Sequence, residues 1–107
     1  MVIVETAIFT RKITALMTDD SYRLLQNALL ENPPLGDLIP GGGGIRKVRW
    51  ALPGSGKRGG IRVIYYWAVR RDTLVMLYAY AKNELENLTQ AQLNALAKAV
   101  KEEFGHE

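Results

Sequence analysis

Basic side chains are concentrated in the middle of the chain, where their types and spacing suit the binding of a phosphate. Eight basic residues and no acidic residue occur between Arg46 and Arg71. Lys47 and Arg49 are two residues apart, so in a β-strand they share one face, and a hairpin could bring Arg62 beside them. Three cations on one face repel one another unless an anion lies between them. The pattern indicates a site for a phosphate-bearing polyanion, although solvated cations or an acidic protein partner would also account for it.

The glycine-rich segment between these cations, PGSGKRGG, does not fit a nucleoside triphosphate loop. A P-loop requires G-x-x-x-x-G-K-[ST], but Arg58 follows Gly56 and Lys57, and Ala51 stands where the first glycine is needed. The segment also leads into a strand pattern, so the helix dipole that assists phosphate binding is missing. We interpret it as a hairpin loop whose tip cations, Lys57 and Arg58, suit contact with an extended phosphate backbone.

Other kinds of active site are excluded by the residues that the chain lacks. There is no cysteine, which rules out thiolate catalysis, disulfides and cysteine-based metal sites. The single histidine, His106, is the penultimate residue of a tail that we expect to fray, so a ribonuclease that uses a pair of histidines is also excluded. No Asp, Glu and His residues have metal-ligand spacing, and no serine lies in a nucleophile elbow. We therefore expect neither a metal nor a cofactor.

The hydrophobic periodicity predicts four strands and three helices in the order β-α-α-β-β-β-α. The predicted strands are Val2 to Glu5, Ile45 to Leu52, Ile61 to Ala68 and Thr73 to Tyr80. The predicted helices are Thr6 to Leu16, TDDSYRLLQNALLENPP and LTQAQLNALAKAVKEEF, and LGDLIPGGGG is a loop. In the last helix, Thr89 and Gln92 have the spacing of a capping box. The short links between the last three strands imply an antiparallel meander.

Length and composition suit a single domain over residues 1–107, with 48% hydrophobic residues and a net charge of +3. No stretch approaches the roughly 20 apolar residues of a membrane-spanning helix. The apolar N-terminus lacks the basic region and cleavage site of a signal peptide. We therefore expect a cytoplasmic protein without a membrane partner.

Three segments, LGDLIPGGGGIRKVRW, GKRGGIRVIYYW and LYAYAKNELENLT, resemble the RelE/HigB toxins of type II toxin–antitoxin systems. The resemblance is closest to the HigB-like branch and covers nearly the whole chain. It implies an α+β, RelE-like fold with a small antiparallel sheet, two N-terminal helices and a C-terminal helix. It also implies a metal-independent endoribonuclease that enters the 30S A site of the ribosome and cleaves mRNA there, inhibiting translation. The expected partners are the ribosome, mRNA and a cognate antitoxin with a HigA-like helix-turn-helix domain.

The resemblance also implies which residues act. The paired basic positions of the family match Lys47 and Arg49, the arginine that opens the next strand matches Arg62, and the basic position after the last strand matches Lys82. Asn83 stands where the best-known members carry an arginine, and their tyrosine a few residues later has no counterpart near Leu88, so Tyr80 could replace it from the strand. We expect the catalytic residues to be Lys47, Arg49, Arg62, Lys82 and Tyr80, and the RNA- or ribosome-binding residues to be Arg46, Lys57, Arg58 and Asn83.

The implied reaction is attack of a 2′-hydroxyl on the adjacent phosphodiester. It needs a base, stabilisation of charge on the phosphorane and a proton donor for the leaving oxygen. Nearby cations lower the pKa of a lysine, so Lys47 or Lys82 could be the base, and Arg62 suits bidentate binding of the equatorial oxygens. Two other functions stay open: a ParE-like toxin that poisons DNA gyrase, and a RelE-like module that binds RNA or the ribosome without cutting.

Overall fold

The computed structural model describes residues 1–52 and 60–105, which form a five-stranded sheet and three α-helices. The strands are β1 (Val2–Glu5), β2 (Asp37–Leu38), β3 (Ile45–Trp50), β4 (Ile61–Ala68) and β5 (Thr73–Ala81). The helices are α1 (Ala7–Leu16), α2 (Asp19–Glu31) and α3 (Gln90–Phe104), with 3-10 turns at Pro33–Leu35 and Val69–Arg71. The predicted α+β class is confirmed, and the seven predicted elements occur in the predicted order, with β2 as an additional strand between α2 and β3.

The sheet is mixed, with the strand order β1-β5-β4-β3-β2. The strands β2 to β5 pair in antiparallel fashion, as the short links predict, whereas β1 lies parallel to β5 with Val2 opposite Thr73. The N-terminus is held at the turn before β5, because the N–H of Val2 donates to the carbonyl of Asp72 at 3.1 Å. The expected purely antiparallel sheet is therefore corrected at this one edge.

The two-residue strand β2 lies inside the segment predicted to be a loop. It forms because the buried hydroxyl of Tyr65 accepts from the N–H of Gly36 at 2.8 Å and donates to the carbonyl of Pro33 at 2.7 Å. A side chain at Gly36 would meet the main chain of Lys47 and the Tyr65 ring at 2.9 Å, so the approach needs glycine. A strand this short has no periodicity from which it could be predicted.

Helices cover both faces of the sheet and bury a separate apolar cluster on each. On one face, Phe9 of α1 and Leu25 of α2 pack with Val63 and Tyr65. On the other face, Val100 of α3 packs with buried side chains of the strands, which are Ile45, Ile64, Val75, Leu77 and Tyr80. The predicted capping box of α3 is confirmed, with the Thr89 hydroxyl accepting from the Gln92 N–H at 3.1 Å and the Gln92 side chain accepting from the Thr89 N–H at 2.9 Å.

A register shift between β4 and β5 changes which side chains of β5 face α3. Ile64 lies opposite Tyr78 and Tyr65 lies opposite Met76, so Leu77 is an extra residue in β5. Before this bulge the alternation directs Val75 towards α3, and after it Tyr78 and Tyr80 face the same side. Bulges of this kind re-aim side chains beside functional sites.

Candidate functional site

Three of the predicted catalytic residues form a row across the sheet, on the face that α3 covers. Arg49 of β3 lies directly opposite Arg62 of β4, and Arg62 lies opposite Tyr80 of β5. Directly opposed residues on one face have Cβ atoms about 5 Å apart. Lys47 lies two residues before Arg49 and so shares its face. The hairpin predicted from the sequence therefore brings the cations together.

Arg62 is the central member of the row and is only 9% exposed. Gly60 makes room for it, because a Cβ at that position would lie 2.8 Å from Nη1 of Arg62. The carbonyl of Gly60 accepts from the N–H of Lys82 at 3.0 Å, which extends the β4–β5 ladder beyond Tyr80. This hydrogen bond holds the start of β4 and the end of β5 together beside the guanidinium of Arg62.

Lys47 is half-buried, and its ammonium nitrogen Nζ donates to Oδ1 of Asn87 at 2.9 Å. Burial lowers the pKa of Lys47 first, and the charges of Arg49 and Arg62 lower it further. Asp37 and Glu86 act in the opposite direction, with smaller effect. A lysine whose ammonium is disfavoured in this way is suited to take up a proton during a reaction.

Tyr80 is fully buried, and its hydroxyl has no hydrogen-bond partner among the described residues. Burial raises the pKa of Tyr80, while the charges of Arg62 and Arg49 partly oppose the shift. The phenol is therefore neutral around pH 7 and can donate a proton or a hydrogen bond. Its ring lies 6.1 Å from that of Tyr78, centroid to centroid.

The cations of this row have no acidic partner in the part of the chain that the structure describes. The two ion pairs found there join the N-terminus to Asp72 and Lys12 to Glu84. Clustered like charges without counter-charges destabilise the fold. The two neighbouring arginines can instead bind an anion, with Lys47 on the same face for proton transfer.

The remaining predicted site residues lie at other positions. Lys82 and Asn83 are exposed in the turn that follows β5. Arg46 faces the opposite side of β3 from Lys47, and its guanidinium donates to the carbonyl of Gly36 at 2.8 Å. Lys57 and Arg58 lie outside the described residues.

Two residues of the site, Asn87 and Gly60, were not predicted from the sequence. Asn87 lies in the loop between β5 and α3, 40 positions from Lys47, and nothing in the local pattern indicates that its amide reaches β3. The same loop is tied to α1, because Nζ of Lys12 lies 2.8 Å from the Glu84 carboxylate. Gly60 is one of several glycines before β4, and only the folded structure shows that it lies against Arg62.

Residues 1–52 and 60–105 include no helix both long and apolar enough to cross a bilayer. The same residues include no cluster of three or more His, Asp and Glu side chains that could hold a metal ion.

The fold and the site define a small α+β domain in which Arg49 and Arg62 lie side by side on antiparallel strands, without an acidic partner among the described residues. A profile of the family described as the RelE toxin of the RelE/RelB toxin–antitoxin system matches residues 4–106. The chain belongs to this RelE toxin family. Membership makes it the toxin component of a toxin–antitoxin system and implies a cognate antitoxin as its partner.

Proposed function

We propose that this toxin is a ribosome-dependent mRNA endonuclease that cleaves mRNA in the A site and so inhibits translation. The observation that carries the proposal is the row of Arg49, Arg62 and Tyr80, with Lys47 beside it and no carboxylate partner among the described residues. A toxin that acted only by binding a protein would not require a row of cations without acidic partners on one face of its sheet. The family match supports the same conclusion.

In the proposed reaction the 2′-hydroxyl of one nucleotide attacks the phosphorus of the next. The oxygen–phosphorus bond to the 5′-oxygen breaks, leaving a 2′,3′-cyclic phosphate and a 5′-hydroxyl. Lys47 is the favoured base, because its pKa is lowered, and Lys82 is the alternative. Arg62 binds the equatorial oxygens with Arg49, and the neutral phenol of Tyr80 donates the proton to the leaving oxygen.

Dependence on the ribosome follows from the modest power of such a site. A lysine is almost fully protonated at neutral pH unless its pKa is strongly lowered, so little of the free amine is available as a base. The reaction also requires the 2′-oxygen, the phosphorus and the leaving oxygen in line. Holding the reacting groups in one geometry can supply about 7–11 kcal/mol of the barrier. We propose that the A site supplies this geometry, with Lys57, Arg58, Asn83 and Arg46 as contacts to messenger or ribosomal RNA.

The neutralising partner in this proposal is an antitoxin with a HigA-like helix-turn-helix domain, and the toxin belongs to the HigB-like branch. An acidic or amphipathic segment of the antitoxin would complement the basic sheet face. Reading the open reading frame next to the toxin gene tests this point directly. A helix-turn-helix protein there that rescues growth supports the proposal, and a neighbour without that domain contradicts it.

The activity is tested in a purified translation system with ribosomes stalled on a defined mRNA. The wild type should cut the A-site codon, and free mRNA should stay intact under the same conditions. Intact mRNA on the ribosome would contradict the proposal. In that case DNA breaks that depend on gyrase would support the ParE-like function, and co-sedimentation with ribosomes would support a binding module.

A further inference from the structure

A cleft of about 260 Å³ opens beside Lys47 and Arg49, at the outer edge of β3. It joins the cationic row on one side and is open to solvent on the other. Its walls are mainly apolar, and its rim carries both signs of charge. The lining side chains are Leu35, Val48 and Trp50 on the walls, and Asp37, Lys47 and Arg49 at the rim.

The cleft exists because β2 covers only part of β3. The pairing of the two strands ends with Asp37 opposite Lys47. One residue earlier the chain leaves the sheet, since the N–H of Gly36 turns to the Tyr65 hydroxyl. In the described part of the chain, no strand pairs with the outer edge of β3 beyond Lys47.

The uncovered edge presents main-chain hydrogen-bonding groups to the cleft. The N–H of Ile39 donates to the carbonyl of Ile45 at 2.9 Å, so the main-chain groups of Ile45 point to the β2 side. Alternation along a strand then directs those of Lys47 and Arg49 to the same side. No backbone partner within residues 1–52 and 60–105 takes the N–H or the carbonyl of Arg49. One donor and one acceptor therefore lie side by side at the cleft.

We propose that this cleft binds a nucleobase of the RNA, next to the phosphate held by Lys47 and Arg62. A base has flat apolar faces that suit the walls formed by Trp50 and Val48, and an edge that carries neighbouring donors and acceptors to match Arg49. A free phosphate would make no use of the apolar walls. A peptide strand would need a row of main-chain partners, and here a single residue supplies them. The inference rests on the proposed function and deepens it by naming which part of the substrate the chain itself reads.

The experiment compares two probes that differ only by a base. The ¹⁵N-labelled full chain is titrated with adenosine 5′-monophosphate and with ribose 5-phosphate, and amide shifts are followed by NMR. Both probes should shift amides around Lys47 and Arg62. Only the nucleotide should shift the Arg49 amide and the Trp50 indole N–H, and it should bind about tenfold more tightly, as base–aromatic contacts commonly contribute.

A pair of tryptophan variants controls for general effects on the fold. Trp50→Leu should reduce the affinity for the nucleotide to that for ribose 5-phosphate. Trp67→Phe changes the other tryptophan, which packs against the same apolar cluster as Trp50 but does not line the cleft, and should leave the tenfold difference intact. The wild-type comparison of the two probes needs no variant, so it stands even where a variant fails to fold.

Equal affinity for the two probes, or an Arg49 amide that the nucleotide does not move, would overturn the inference. An Arg49 amide that shifts with protein concentration alone would also overturn it, because a second protein strand would then occupy the edge. Cleavage on the ribosome separates the two claims. A toxin that cuts mRNA but shows no base-dependent shift refutes only the base cleft, and a toxin that binds the nucleotide but never cuts refutes only the proposed nuclease.

Discussion

Arg62 carries its charge at 9% exposure without an acidic partner among the described residues. Removing a cation from water without a counter-charge is unfavourable. Proteins keep such costs where activity needs them, and relieving them commonly raises stability. In the proposed reaction, an anion bound beside Arg62, between Arg49 and Tyr80, would supply the missing counter-charge.

Replacing Arg62 should separate stability from activity. We expect Arg62→Met to raise the free energy of unfolding by about 0.5–2 kcal/mol, because it removes the buried charge and keeps an unbranched side chain. The same variant should lose cleavage by about 10²–10³-fold, since it loses the groups that stabilise the transition state. Urea denaturation and single-turnover cleavage measure the two effects. Arg70→Met, at an exposed position, is the matched control, and a destabilised Arg62→Met would contradict the account.

The pH dependence of cleavage should report the environment of Lys47. Burial and the two arginines lower the pKa of this lysine, and a base acts in its deprotonated form, so the rate should rise with pH through that pKa. Arg49→Gln removes one repelling charge, which raises the pKa of Lys47 and shifts the profile to higher pH. The measurement is the single-turnover rate against pH for both proteins. An unchanged profile, or a shift to lower pH, would point to a base other than Lys47.

At the level of single residues, the sequence predicts on which face of the sheet a strand residue lies, because strand periodicity controls it. The sequence predicted that Lys47, Arg49 and Arg62 lie together. Side chains two residues apart in a strand share a face, and a short hairpin link places the next strand beside them. Asn87 could not be predicted, since its contact with Lys47 depends on how a loop folds over the sheet. The roles of Lys82, exposed after β5, and of Arg46, on the opposite face of β3 from Lys47, stay predictions.

The strand β4 depends on Gly60 to orient its arginine. A Cβ at Gly60 would lie 2.8 Å from Nη1 of Arg62, so Gly60→Ala should displace the guanidinium while leaving the core untouched. We expect cleavage to fall about 10²-fold, the order of loss that a displacement near 1 Å causes, with a thermal midpoint close to wild type. In an Arg62→Ala background the same change should cost nothing further. An additive loss in the double variant would mean that Gly60 acts through another group.

The helix α3 depends on its capping box for a stable first turn. Thr89→Ala removes the hydroxyl that accepts from the Gln92 N–H, and loss of such a cap costs about 1 kcal/mol. Urea denaturation should show this loss, while Thr14→Ala, in the exposed middle of α1, serves as a control for threonine removal. A stability change below a few tenths of a kcal/mol would show that α3 is held by packing alone.

At the level of elements, local signals predicted local structure and failed where distant segments meet. The capping box, the three helices and the four longer strands follow from periodicity and end signals. Pairing of β1 in parallel with β5 depends on contacts across some 70 residues, and β2 depends on the Tyr65 hydroxyl. The bulge at Leu77 also has no local signal, although it directs Tyr80 to the cationic face.

At the level of the whole molecule, the two faces of the sheet are covered to different extents by helices. The helices α1 and α2 cover the first face with a continuous apolar cluster. The helix α3 covers the second face only in part, and leaves the ends of β3, β4 and β5 to the cations. In the proposed function, basic groups gathered at one end of the sheet would suit entry into the A site.

The central claim is that this face promotes attack by a 2′-hydroxyl on mRNA held in the ribosome. The most direct test uses ribosomes stalled on two messages that differ only in the A-site codon, one with ribose and one with 2′-deoxyribose. We predict that the wild type cuts the ribose codon, leaves a 2′,3′-cyclic phosphate and a 5′-hydroxyl, and leaves the deoxyribose codon intact. Cleavage of the deoxyribose codon, or a 5′-phosphate product from the ribose codon, would contradict the account.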